Sequence, residues 1–336
     1  MSRDERRRPV IKYIIKRIAN YIVMLFVAIT MTYFLASAFM DPRSNYMSRH
    51  PHPPIASINR ALDNANINDQ TPVVLRYWRW LVGVVTRWDW GKAPDQSNVG
   101  EAIMSRMGAS LQLVTLATIL SIVIGVSIGV YTAIRQYKWQ DRVLNSIATF
   151  FFVIPPAVLA VMVVFLAIQV NTVAGSRLFY VTGLHAYQGN NLGLWILDFL
   201  QHLILPTISM TIAGAVGYHL TQRTYLLDEM NADYVRTARA KGLTLNQAIR
   251  RHALRNSLLP TAQSVAFSIA GVFVGATVTE TVFAINGLGR YFVSTIAAND
   301  INGTVAVAAF SGVCTLTGAL LADVVAAWLD PRIRLS

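Results

Sequence analysis

The chain has a single cysteine, Cys314, so it forms no intrachain disulfide. Its setting, VCTLTGALL, suits a small buried hydrophobe better than a nucleophile. Charge is scarce: 14 % of residues are Asp, Glu, Lys or Arg and 54 % are hydrophobic, where a soluble domain carries about 25 % charge. Acids are scarcer than bases, 17 against 29, giving a formal net charge of +12 over 336 residues. In so apolar a chain that excess points to a membrane and not to nucleic acid. Enzyme signatures are missing too. There is no H-E-x-x-H, no G-x-S-x-G and no paired-cysteine site. Gly91-Lys92 is followed by Ala-Pro, so no P-loop is present to bind and hydrolyse ATP. His50 and His52 flank a proline, which does not make a metal site. No catalytic, cofactor or metal-binding residue is assigned, and uphill transport would need a partner or an ion gradient.

What the chain does have is long apolar runs. A membrane span needs about 20 mostly apolar residues. Six segments qualify: 18–40, 111–134, 143–170, a weaker one at about 203–220, and roughly 262–283 and 304–328. The first resembles a signal peptide, with Ala36-Ser37-Ala38 in a cleavage-like arrangement. Its apolar run exceeds the usual h-region, so a retained span is expected. Arg and Lys cluster before span one, in 135–142 and in 221–260. Loops 171–198 and 285–302 hold one basic residue each, Arg177 and Arg290. The positive-inside rule therefore predicts an all-α membrane protein with six transmembrane helices and both termini cytoplasmic. The 41–110 loop, with eight Lys/Arg, runs against the bias, but loops of that length translocate largely regardless of charge. Its RYWRWLVGVVTRWDWG segment reads as an amphipathic stretch at the outer interface.

Within the spans, charge is nearly absent. Glu280 near the outer end of span five and Asp323 near the inner end of span six are candidates for gating or structure. Pro155, Pro156 and Pro206 are candidate kinks. Gly125 and Gly129 form a G-x-x-x-G, and with Gly271, Gly275, Gly312 and Gly318 they suit close helix packing.

The segment from Asn231 to Pro260 breaks the apolar pattern, with six Lys/Arg and one acid. It predicts a helix over 232–240, a break at Gly242, a second helix over 245–259, and a turn into span five at Pro260. Clamping anionic lipid and docking another protein both fit such an element.

DYVRTARAKGLTLNQAIRRHALRNSLLP resembles the cytoplasmic coupling loop of bacterial ABC importer permeases of the oligopeptide/dipeptide/nickel branch. Arg236-Thr237-Ala238 stand at the family's Glu-Ala-Ala positions and Gly242 at its glycine. His252 and Leu254 take the places of Ile and Leu, and the proline is displaced to Pro260, as in the peptide branch. HLILPTISM, FAINGLGRYFVSTIAANDIN and the terminal LDPRIR are also similar to the family. The long Arg-rich first loop is similar to that of the B-type peptide permeases.

The resemblance implies the type I ABC importer permease fold in the bacterial inner (plasma) membrane. It implies a subunit that is not itself an enzyme, forming half of a path for peptides. A second homologous permease and two ATPase subunits or domains, carrying ATP and Mg, are expected partners. An extracytoplasmic binding protein or lipoprotein would deliver substrate. Asp233, Tyr234, Arg236, Thr237, Ala238, Arg239, Lys241, Gly242, Arg251, His252 and Pro260 are expected to couple to the ATPase. Gly287, Gly289, Asn299 and Asp300 are expected at the outer face or against the binding protein. The expected organisation is a cytoplasmic tail 1–17, span 18–40, extracytoplasmic loop 41–110, permease core 111–328 containing the loop 231–260, and cytoplasmic tail 329–336. Nickel and opine importers share these motifs, so the substrate stays open. An ion-coupled carrier would call for charge at mid-membrane and usually an internal repeat, neither of which is seen.

Overall fold

The computed structural model describes Arg3–Leu329 apart from Gln188. Side-chain environments are described outside 3–14, 266–275, 322 and 324–329, which leaves out Gly271, Gly275 and nearly all of the expected 329–336 tail. The helices in order are α1 (Arg3–Phe39), α2 (Ser44–Met47), α3 (Ile55–Asn64), α4 (Val73–Arg87), α5 (Val99–Ile134), α6 (Trp139–Val153), α7 (Pro156–Ala174) and α8 (Leu192–Met230). After them come α9 (Asp233–Ala240), α10 (Leu245–Ala248), a π-helical turn (Ile249–Ala253), α11 (Leu254–Val282), α12 (Leu288–Ala297) and α13 (Ile301–Leu329). Among the described residues the one β feature is an isolated bridge between Lys92 and Asn98. Such an all-helical chain satisfies its backbone polar groups internally, as lipid requires.

Among the described residues five segments are long and apolar enough to cross a membrane: Ile15–Met47, Val99–Ile134, Pro156–Ala174, Leu192–Met230 and Ile301–Leu321. The expected fifth span falls within α11, a 29-residue helix. The weak fourth span is part of the 39-residue α8, whose Pro206 is buried inside the helix without ending it. Three expectations are corrected. Residues 143–170 are not one helix, because α6 stops before Ile154 and α7 restarts at Pro156. The steric demand of each proline drives the residue before it to extended backbone, with ψ 122° at Ile154 and 138° at Pro155, while Pro156 fits the first turn of a helix. Residues 41–110, expected as a long loop with one amphipathic stretch, hold α2, α3, α4 over that stretch and the start of α5. Pro260 does not turn the chain, since it lies inside α11.

The chain divides into two compact units, 1–111 with 286–317 and 112–285 with 318–336. In the first, Tyr33 of α1 is fully buried and meets Tyr77 and Trp80 of α4, with ring centroids 5.3 and 5.2 Å away. Thr30 and Tyr77 share a 2.7 Å hydrogen bond. Ile58, Leu62, Ile67, Ile301 and Val305 complete this core. The α4 face that carries Tyr77 and Trp80 is thus held on α1, where the sequence suggested only an interfacial helix. Asn302, fully buried, cross-braces the unit by donating from Nδ2 to the Ala65 and Lys92 carbonyls, 2.8 Å each.

In the second unit α5 lies tight against α8. A Cβ built on Gly125 would sit 2.4 Å from the Ala215 carbonyl oxygen, and one on Gly129 would sit 2.8 Å from that of His219. Ser121 donates to the Ala117 and Thr211 carbonyls, at 2.7 and 3.3 Å. The G-x-x-x-G therefore serves backbone approach, as small residues do between helices in lipid.

Gly125→Leu must push α8 away and is expected to cost about 1–3 kcal/mol. Gly217→Ala, whose new methyl meets nothing within 4 Å, is expected to be neutral or slightly stabilising. Thermal unfolding of the two variants in detergent checks the contrast.

Candidate functional site

The segment after α8 folds into a short arm. Asp233 opens α9, and the chain reverses at Gly242, whose φ of +94° only glycine adopts without strain. Thr244 then caps α10 in a capping box: its Oγ1 accepts the Gln247 N–H at 3.4 Å, and Gln247 Oε1 accepts the Thr244 N–H at 2.9 Å. The arm has two faces. Val235, Ala238, Ala248, Ile249 and Ala253 are buried against Ala133 and Leu226. Asp233, Tyr234, Arg236, Thr237, Arg239, Lys241, Gly242 and Arg251 face outward. Ala238 belongs to the anchoring face, and His252 and Pro260 are half-buried. Tyr234 donates to Glu229, and burial together with that bond pushes its hydroxyl up to about 12. Arg236 lies 3.6 Å from Asp233 with both side chains well exposed, so the pair contributes little. The cationic side chains of the outward face remain available to an acidic partner.

The arm does not end at a loop. The π turn Ile249–Ala253 passes directly into α11. There the fully buried Gln222 of α8 joins the two helices. Its Nε2 donates to Ser257 Oγ at 3.0 Å, and its Oε1 accepts from Thr261 Oγ1. At the next residue of α8, Arg223 grips Asp141 of α6 through two bonds of 2.8 and 2.9 Å. Asp141 also accepts the Tyr137 N–H at 3.1 Å. The Arg223 guanidinium holds the Asp141 carboxyl below the usual carboxylate range. Sequence reasoning counted Arg223 and Asp141 only as loop charge and missed Gln222, Ser257 and Thr261. The available signal was an amide and two hydroxyls set among apolar residues.

Above the joint a cavity of about 520 Å³ opens inside this unit. Its walls are mostly small, apolar or hydroxyl-bearing, with Pro156, Ser121, Ser209, Gly214, Tyr218 and Ser264 among them and no charged side chain among the described residues. Pro156 thus lies on the cavity wall. Pro155 sits at the α6–α7 break, and Pro206 is buried in α8 outside the cavity lining. Glu280 is completely buried instead of reaching out to an interface. Asp323 is half-buried in α13.

The residues expected at the outer face lie in the first unit. Gly287, Gly289 and Asp300 are buried, and Asn299 is partly exposed. Leu288 donates its N–H to Ser110 Oγ at 2.8 Å, which draws the start of α12 inward. Asn299 accepts the Asp41 N–H at 3.1 Å. Asp300 caps α13, its Oδ1 accepting the Gly303 N–H at 2.9 Å. Burial, with Asp95 nearby adding to it, raises the Asp300 carboxyl to about 6 against the pull of that N–H. Gly287, Gly289 and Asp300 are thus packed within the unit, while Asn299 keeps a partly exposed side chain.

The long helices leave Ile22, Val23, Phe26, Phe150, Phe165 and Leu166 exposed. Apolar faces of that extent need lipid to cover them, which defines a multi-pass helical membrane protein. Residues 121–335 match the family described as binding-protein-dependent transport system inner membrane component. The chain is 38 % identical to the oligopeptide transport system permease protein OppB of Mycobacterium tuberculosis, over 97 % of this chain and 99 % of that one. It is 31 % identical to AppB of Bacillus subtilis and 28 % identical to OppB of Escherichia coli, each over 96 % of this chain and 99 % of the relative. The chain belongs to the family of binding-protein-dependent inner-membrane transport components. It is a permease subunit of an ABC importer and not an enzyme.

Two outcomes follow from this geometry. In Gln222→Leu the Ser257 and Thr261 hydroxyls fall back on helix carbonyls, so the loss is the tie itself. Amide hydrogen exchange over 254–262 is expected to rise about tenfold, the equivalent of ~1.4 kcal/mol. For Asp300 the folded pKa of about 6 lies above an unfolded value of about 3.9. Ionisation therefore destabilises the folded state above pH 6, and the penalty fades as pH falls from 6 towards 4. Asp300→Asn, which keeps the capping oxygen, is expected to melt higher than the parent at pH 7.5, with the difference shrinking at pH 4.5 in a thermal shift assay.

Proposed function

We propose that this permease forms half of the translocation path for peptides and is driven through the arm spanning 231–260. In this reading six helices cross the membrane, α11 supplying the fifth span, and both termini, with the arm, are cytoplasmic. A second homologous permease completes the path, two ATPase subunits or domains seat the arms, and an extracytoplasmic binding protein or lipoprotein delivers the substrate. The observation that carries the reading is the construction of the arm. Its apolar side is anchored, its cationic side is open, and its far end is continuous with α11, so a push on α9 moves a membrane helix and not a slack loop.

Peptide as substrate is supported by the names of the relatives and by the cavity. Walls of hydroxyls and small side chains admit a bulky polar backbone without selecting side chains. They offer no His or carboxylate to hold a bare metal ion, which disfavours nickel. Selectivity then resides in the binding protein. Arg236, Arg239, Lys241 and Arg251 are the proposed contacts to acidic groups on the ATPase. Asp233, Tyr234 and Thr237 shape the same face. Ala238, His252 and Pro260 hold it in place, and Gly242 sets its bend. Pro155 and Pro156 are the proposed flexure of the path, with Pro206, Glu280 and Asp323 as structural elements of its helices. Asn299 is the residue of the 287–300 group proposed to remain open to the binding protein.

The test is purification from native membrane in mild detergent followed by an ATPase assay. A complex with a second permease and ATPase subunits is expected. Arg236→Glu combined with Arg239→Glu should leave the chain folded, because both are exposed, and should lower substrate-stimulated hydrolysis at least about tenfold. That factor corresponds to loss of one or two charge pairs across an interface. A chain that purifies alone and moves substrate in liposomes without ATP would overturn the proposal.

A further inference from the structure

The α4 helix has a face that the transport reading does not use. Val74, Trp78, Val82 and Val85 are 66, 61, 39 and 75 % exposed. Their spacing sets them along one side of the helix, opposite the face that packs on α1. An apolar stripe with a tryptophan in it, on a membrane protein, is built to enter a lipid leaflet.

Beside the stripe the first unit holds a cavity of about 650 Å³. Trp78 and Val82 belong both to the stripe and to its wall, so stripe and cavity adjoin. Arg79, Arg87 and Lys92 line it, and among the described residues none of the three side chains makes an ion pair or hydrogen bond. The two acids of the lining are otherwise engaged: Asp63 accepts from Asn68 Nδ2 at 2.7 Å and Asp89 accepts the Gly91 N–H at 3.0 Å. Three cations against two carboxylates give the lining a formal charge of +1, which favours an anion. Its lining also includes the fully buried Asn302, whose Oδ1 has no hydrogen-bond partner among the described residues. Gly91 leaves the room Asn302 occupies, since a Cβ there would lie 2.7 Å from Asn302 Nδ2.

We infer that α4 and this cavity form a binding site for an anionic phospholipid, with the acyl chains along Val74, Trp78, Val82 and Val85 and the headgroup phosphate among Arg79, Arg87 and Lys92. A free phosphate would satisfy the cations but not explain the adjoining apolar stripe. The site depends on the geometry of one unit and not on the substrate, the partners or the side of the membrane. Failure of the transport reading would leave it standing, and the reverse also holds.

The experiment places the full-length protein in nanodiscs and measures tryptophan quenching by brominated-acyl phosphatidylglycerol and brominated-acyl phosphatidylcholine at equal mole fraction. The phosphatidylglycerol probe is expected to quench more strongly, and the difference should vanish in Trp78→Phe, which identifies the reporter. In the triple variant Arg79→Gln, Arg87→Gln, Lys92→Gln, quenching by phosphatidylcholine should persist. Preference for the anionic lipid should fall at least about fivefold, the value of one cation near a lipid surface. Excess inorganic phosphate, set against chloride at matched ionic strength, should not erase the preference. Equal quenching by the two lipids, or a preference unchanged in the triple variant, would overturn the headgroup site. Loss of preference in phosphate would assign a free-anion site instead. Absence of Trp78 quenching by either lipid would mean that protein covers the stripe, and would overturn the inference altogether.

Discussion

The buried amide of Gln222 is the interaction on which the second unit of this molecule depends. A single, fully buried side chain holds two hydroxyls of α11 from the interior of α8, where an unmade bond is costly. It thereby makes the arm, the π turn, α11 and α8 mechanically one piece at that level. Without it, the helix carrying the arm would be held to α8 there by apolar contact alone, which is not directional. The neighbouring Arg223–Asp141 pair extends the same fixation to α6. This is why the arm can be short: its stiffness comes from what it is tied to.

Local backbone chemistry breaks the apolar pattern as well. At Ile154–Pro155 the chain leaves helical geometry inside what composition presents as one apolar run, so α6 and α7 are separate helices joined by a proline-fixed extended step. Pro156 stands there on the cavity wall. Pro206 and Pro260, by contrast, are absorbed by long helices. A proline removes one backbone donor, yet the helix continues through both positions, Pro206 within the 39 residues of α8 and Pro260 within the 29 of α11. Three apparently equivalent proline sites thus do different things according to what surrounds them.

The first unit rests on a different device. Its segments are far apart in sequence, and short polar side chains collect backbone groups between them. Asn302 binds the Ala65 and Lys92 carbonyls, Asn299 receives the Asp41 N–H, and Asn45 reaches the Ala298 carbonyl. Residues that read as an accessible loop are therefore scaffold. Burial of Gly287, Gly289 and Asp300 accompanies this cross-bracing and the apolar cluster in which Leu288 packs with Val99, Ile103, Ala306 and Val307.

Much of the molecule was legible in its residues. Apolar length announces membrane helices because about 30 Å of hydrocarbon demands it. Gly242 announces the bend of the arm because only glycine sits easily at positive φ, and the Thr244–Gln247 spacing marks the next helix start. Gly125 and Gly129, four residues apart, announce a close helix contact. What could not be read is whatever depends on a partner distant in sequence. That Gln222 would find Ser257 and Thr261, that Arg223 would find Asp141, that Trp80 would turn in towards Tyr33 while Trp78 turned out, and that Asp300 would be buried were all decided by packing. Local sequence sets backbone preference and the period of an apolar face. The pairing of buried polar groups is set by which faces meet, and only the tertiary structure brings those faces together.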